Sequence, residues 1–201
     1  MKRTTMTLLA GAALLAGAGT SGAALISPTT ATLAAGSLLG GSAALIVDGT
    51  IPPEGQNWQL QTAYWGSSAT ILRVDLGALY RVEDVVVSVD NNDAYRVRWS
   101  SDGSAYTTLF DIAVGYGEIA NGVDTMSSEL GNPEYIAGID FAPVVARYLE
   151  IAASGGDSMY SVGELQAYGS VPVPVPAPLA ALLFLPLLAA RAATGRRTAR
   201  R

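Results

Sequence analysis

The chain has 201 residues, half of them apolar, with no Cys and no His. Lack of Cys excludes a disulfide framework, and lack of His removes the commonest general base and the commonest transition-metal ligand. All 17 acidic residues fall between Asp48 and Glu164, where only five of the 12 basic residues lie, so that segment carries a net −12 and repels nucleic acid.

Met1-Lys2-Arg3 is a positive start, Met6 to Ala18 is an apolar stretch, and Ser21-Gly22-Ala23 or Gly22-Ala23-Ala24 offers small residues to signal peptidase. Residues 1–24 read as a cleavable signal peptide, which implies export. The competing reading is an uncleaved anchor helix, but the stretch is short against a hydrocarbon core of ~30 Å.

From about residue 42 to 168, short runs of period-2 alternation recur between turn signals, the pattern of a sandwich or jelly roll. Leu72, Val74 and Leu76 alternate with Arg73 and Asp75. Val82 to Val89 is a β-branched run suited to a central strand. Asp90-Asn91-Asn92-Asp93 links it to Ala94–Trp99, where Tyr95, Val97 and Trp99 face one way and Arg96 and Arg98 the other. Asp102-Gly103 is a hairpin signal, because Gly supplies positive φ. Residues 111–138 are Gly-rich and read as a long loop. Arg147, Leu149 and Ile151 alternate with Tyr148 and Glu150, and Val162 to Tyr168 forms a last strand.

The segments Ile71-Leu72-Arg73-Val74-Asp75-Leu76-Gly77, Tyr95-Arg96-Val97-Arg98-Trp99-Ser100-Ser101-Asp102-Gly103, Ala146-Arg147-Tyr148-Leu149-Glu150-Ile151 and Ser161-Val162-Gly163-Glu164-Leu165-Gln166-Ala167-Tyr168-Gly169 resemble, in order, the motifs of discoidin (coagulation factor type C) domains. The resemblance implies an all-β, eight-stranded galactose-binding-like jelly roll over residues 25–170, in a family that includes carbohydrate-binding modules and adhesion domains.

Val171 to Pro178 alternates with four prolines, so residues 171–178 form an extended spacer rather than a helix or central strand. Leu179 to Ala190 is apolar, and arginines follow to residue 201. A Pro motif, a short apolar segment and terminal arginines resemble a PEP-CTERM sorting signal. That resemblance implies transient anchoring of residues 179–201 in the cytoplasmic membrane, recognition by an exosortase, and transfer to the surface. A plain anchor on a Pro-rich stalk is the alternative.

Site residues follow from the discoidin resemblance. A structural Ca²⁺ is implied at Asp48, Thr50 and Glu164, since hard cations take carboxylate and other oxygen donors. The alternative is that Asp48 caps a turn and Glu164 faces solvent. Ligands are implied at loops at one end of the sandwich, Asn91-Asn92-Asp93 and Gly155-Gly156-Asp157-Ser158-Met159-Tyr160, where Asn91, Asn92 and Asp93 offer hydrogen bonds and Trp65 and Tyr160 offer aromatic faces. Here the alternative is turn chemistry and core packing. Asp75 and Arg147 read as a structural ion pair. Without His, a Ser nucleophile lacks its usual base, and no carboxylate pair stands out. The expected function is an exported, non-catalytic binding module for polysaccharide of the matrix. A protein-binding adhesive module and a weak polysaccharide hydrolase are the alternatives.

Overall fold

A computed structural model describes residues 23–27 and 29–172. Nearly all of the expected signal peptide, most of the Pro-rich spacer and the whole C-terminal sorting segment lie outside the described residues. The strands run β1 (Ala24–Leu25), β2 (Thr30–Ala35), β3 (Ala63–Trp65), β4 (Ile71–Asp90), β5 (Ala94–Ser100), β6 (Thr107–Ile112), β7 (Val123–Ser127), β8 (Val144–Gly155) and β9 (Tyr160–Ser170). The only helical elements among the described residues are two short 3-10 turns, Ala43–Val47 and Ala137–Ile139.

Every pairing between the strands of the described residues is antiparallel, and the expected all-β sandwich is present. Its strands number nine among the described residues, and β4 is long enough to serve two layers. The first half of β4 joins one layer in the order β2-β4-β8-β5-β6. Its second half lies between β7 and β9 in the other layer, with β1 and β3 on the far edge of β9. A register shift between Asp75 and Tyr80 interrupts the pairing of β4 with β8, and pairing with β9 begins at Arg81. Gly77 sits there at φ +81, a value that favours glycine, and its N–H donates to Asp75 Oδ1 at 2.8 Å.

Alternation builds the core as expected. Leu72, Val74 and Leu76 of β4, Tyr95 and Val97 of β5, and Leu149 and Ile151 of β8 point inward from the first layer. They meet Val85, Val87, Val89, Val162, Leu165, Ala63 and Trp65 from the second, in one apolar cluster. On the outer face of the first layer Arg147 grips Asp75 through two bonds of 2.9 and 3.0 Å, the expected ion pair.

Two expectations are corrected. Residues 111–138 are not one loop: Ile112 ends β6 and β7 lies inside the segment. All five residues of β7 are buried, with Thr125 Oγ1 2.8 Å from Ser88 Oγ and Asp124 Oδ2 accepting the Ile119 N–H at 3.1 Å. Covering both faces of this strand hides the alternation that would reveal it. Glu164 does not face solvent, being 1% exposed.

Candidate functional site

Strand β3 ends beside the start of β9, where Trp65 pairs with Tyr160, and the β4–β5 and β8–β9 loops lie at the same end of the sandwich. The five residues expected to contact ligand are gathered here, though most are turned inward. Trp65 is fully buried and Tyr160 is 4% exposed. With Tyr95 they form an aromatic triangle whose ring centroids stand 6.2–6.4 Å apart. Neither ring keeps a face free for a sugar, which corrects the expected platform.

Asn91 is used up by the fold. Its Oδ1 accepts the Gly117 N–H at 3.0 Å and its Nδ2 donates to the Ile119 carbonyl, pinning the β6–β7 loop. Asp93 is buried, and its Oδ1 accepts the Asp157 N–H at 2.9 Å, joining the two rim loops. Burial, reinforced by the charge of Asp157, pushes the carboxyls of Asp90 and Asp93 up to about 6. Asn92 alone of the three is half-exposed, with Nδ2 3.2 Å from Asp157 Oδ2. Asn92 and Asp157 are therefore the polar pair that this rim shows to solvent.

The aromatic surface lies one residue away from the expected one. In β3, Ala63 and Trp65 point inward, so Tyr64 points outward. Trp58 stands edge-on to it at 5.3 Å, and both are half-exposed. A Cβ on Gly40 would meet the Tyr64 ring at 2.2 Å, so a glycine is needed to seat the ring. Leu39, 62% exposed, reaches toward Gly66, and Gly66 approaches the Ser158 carbonyl. The rim thus runs continuously from Trp58 and Tyr64 to Asp157 and Asn92. A strand of three residues has too little alternation to show from sequence which of two adjacent aromatics faces out.

Two of the three expected cation residues, Asp48 and Glu164, line one cavity. A cavity of about 160 Å³ is lined by Asp48, Gly49 and Glu164, with Ser27 and Thr29 from the segment before β2. Thr50 does not line it. The Thr50 N–H caps Asp48 Oδ1 at 2.8 Å, the turn that was the alternative reading of Asp48. Glu164 Oε1 accepts from Gly49 N–H at 3.2 Å and from Gln166 Nε2 at 3.1 Å. Its Oε2 is buried without a partner among the described residues. Burial pushes this carboxyl above its ordinary value, and the Asp48 charge adds to the effect. An orphaned carboxylate oxygen beside a second carboxylate, with hydroxyls nearby, suits a hard cation. No cluster of three acidic or thiol ligands occurs among the described residues, so other oxygens would have to complete the shell.

The chain matches no family model and no curated protein. Solved structures do resemble it. A truncated AlyQ with CBM32 and alginate lyase domains aligns at 16% identity and a TM-score of 0.50, over 77% of this chain and 35% of that one. CpGH89 from Clostridium perfringens, in complex with GlcNAc-alpha-1,4-galactose, aligns at 15% identity and a TM-score of 0.50, over 85% of this chain and 19% of that one. CBM32-1 from a family 31 glycoside hydrolase of the same organism aligns at 16% identity and a TM-score of 0.47, over 72% of this chain and 96% of that one. The chain therefore shares an all-β antiparallel sandwich fold with AlyQ and CpGH89.

Proposed function

We propose that this protein is an exported, non-catalytic carbohydrate-binding module that holds polysaccharide at its loop rim. The observation that carries this reading is the half-exposed Trp58–Tyr64 pair on the outer side of β3. Two aromatic rings at right angles give a sugar an apolar face to lie on and an edge to lie against. Asn92 and Asp157 supply donors and acceptors for hydroxyl groups at the other end of the same rim. Ca²⁺ at Glu164 and Asp48 would brace the segment before β2 against β9 without touching the ligand.

Export rests on the signal-peptide pattern of residues 1–24, and display at the surface or in the matrix rests on the sorting pattern of residues 171–201. In this reading signal peptidase and exosortase act on the two ends, and the membrane holds the tail until it is cut. The test is a neutral-glycan array probed with the full-length protein. Saturable binding to a sugar, lost in Trp58→Ala and Tyr64→Ala at unchanged melting temperature, is the expected result. Binding that survives both changes overturns the rim as the site.

A further inference from the structure

We propose a second binding groove, on the outer face of the five-stranded layer, that takes uronic acid residues of an acidic polysaccharide through Arg96 and Arg98. This rests on the carbohydrate reading of the protein but not on the loop rim. Strand β5 turns Tyr95 and Val97 inward, so Arg96 and Arg98 both stand on the outer face, about 7 Å apart. Across from them on β8, Arg96 pairs in register with Ala152, and Arg98 with Glu150. Ala152 and Ser154 are small, so an open cavity of about 410 Å³ lies over them, bounded by the two arginines and by Ser68 and Ile71.

Charge selects the ligand class. Glu150 is shared by Arg73, at 2.8 Å, and Arg98, also at 2.8 Å. It is the only carboxylate among the described residues that serves two arginines; Arg96 takes Asp111 in a fork, through Nε at 2.7 Å and Nη2 at 3.3 Å, which leaves its Nη1 toward the groove. The cluster of Arg73, Arg96, Arg98, Glu150 and Asp111 beside the groove thus carries a net +1 within a segment of net −12. Arg73 and Arg98 also flank the Tyr106 ring, at 5.3 and 5.6 Å from its centroid, which holds both guanidinium groups in place. Arg98 donates to protein only through Nη2 among the described residues, so most of its fork remains for a ligand. No aromatic ring lines the groove itself, so a neutral sugar gains little there. A densely charged phosphate polymer is repelled by the acidic domain around it. Sugar rings carrying one carboxylate each match the local positive charge, and the unpaired side of the Arg98 guanidinium can take a carboxylate in a fork.

Affinity electrophoresis of the full-length protein through gels containing polygalacturonate, alginate, or fully methyl-esterified polygalacturonate tests this. Retardation is expected in at least one acidic gel, falling with added salt, and none in the ester gel. Arg96→Gln and Arg98→Gln should each weaken it about tenfold. Arg98→Gln leaves Glu150 paired with Arg73. Ser154→Glu removes no ion-pair partner, places a negative charge in the groove, and should abolish retardation. No retardation of the wild type in either acidic gel, equal retardation in the ester gel, or wild-type behaviour of Ser154→Glu overturns the proposal. So does loss in Tyr64→Ala with Arg96→Gln unaffected, which would move the acidic ligand to the rim. Failure of the neutral-glycan array removes only the rim reading.

Discussion

The Tyr95 hydroxyl accepts the Ser161 N–H at 3.1 Å, and the two residues belong to opposite layers of the sandwich. Both are fully buried, so this single bond ties β5 to β9 beside the aromatic triangle. Tyr95→Phe keeps the packing and orphans a buried N–H. It should cost about 1–3 kcal/mol, read as a lower urea midpoint at unchanged slope.

Stability should be greatest on the acid side of neutrality. Asp90 and Asp93 rise from 3.8 to about 6 in the folded state, so that state holds more protons than the unfolded chain between those values. Stability therefore falls as pH rises from about 4 to about 6, and stays level above. Asp75 works the other way. The Arg147 guanidinium holds its carboxyl low, and that contribution is lost as pH falls below its ordinary value. The optimum should lie at about pH 4 to 5. Melting curves in chelator should show a higher Tm at pH 5 than at pH 7.5. Asp93→Asn keeps the acceptor for the Asp157 N–H and removes the charge, so it should raise Tm at pH 7.5 and flatten the difference.

Much of this was legible in the sequence because burial on one face writes itself as alternation. Leu72, Val74, Leu76 and the arginines of β5 were read correctly for that reason. β7 was missed because its polar residues are buried by mutual hydrogen bonds, which composition cannot show. The rim loops were identified by their Asn and Asp residues, yet Asn91 and Asp93 spend their groups on the backbone of neighbouring loops. Turn chemistry and ligand chemistry use the same side chains, and only the partner distinguishes them. Glu150 shows the same ambiguity: it alternates as an outward residue and is still 3% exposed, because two arginines close over it.

Adding Ca²⁺ should raise Tm at pH 7.5, because a cation that binds only the folded state stabilises it by mass action. The gain should shrink at pH 5, since the carboxyl of Glu164 is pushed up by burial and must be ionised to bind. Glu164→Gln should raise Tm in chelator, where the buried charge is a cost, and abolish the response to Ca²⁺. A Ca²⁺ response unchanged in Glu164→Gln would place the cation elsewhere.

Trp58 and Trp65 should separate binding from folding. Trp65 is fully buried against Tyr95 and Tyr160, so Trp65→Ala opens a large cavity and should cost about 3–5 kcal/mol. Any glycan affinity that variant loses should return at low temperature, where its folded fraction recovers. Trp58 is half-exposed and touches Tyr64 edge-on, so Trp58→Ala should leave Tm within a few degrees of wild type while weakening glycan binding at least about tenfold at every temperature. Measuring both variants by denaturation and by glycan titration fixes which tryptophan serves which purpose. The opposite pattern, a stable Trp65→Ala that has lost its ligand, would restore the inner aromatics as the contact surface.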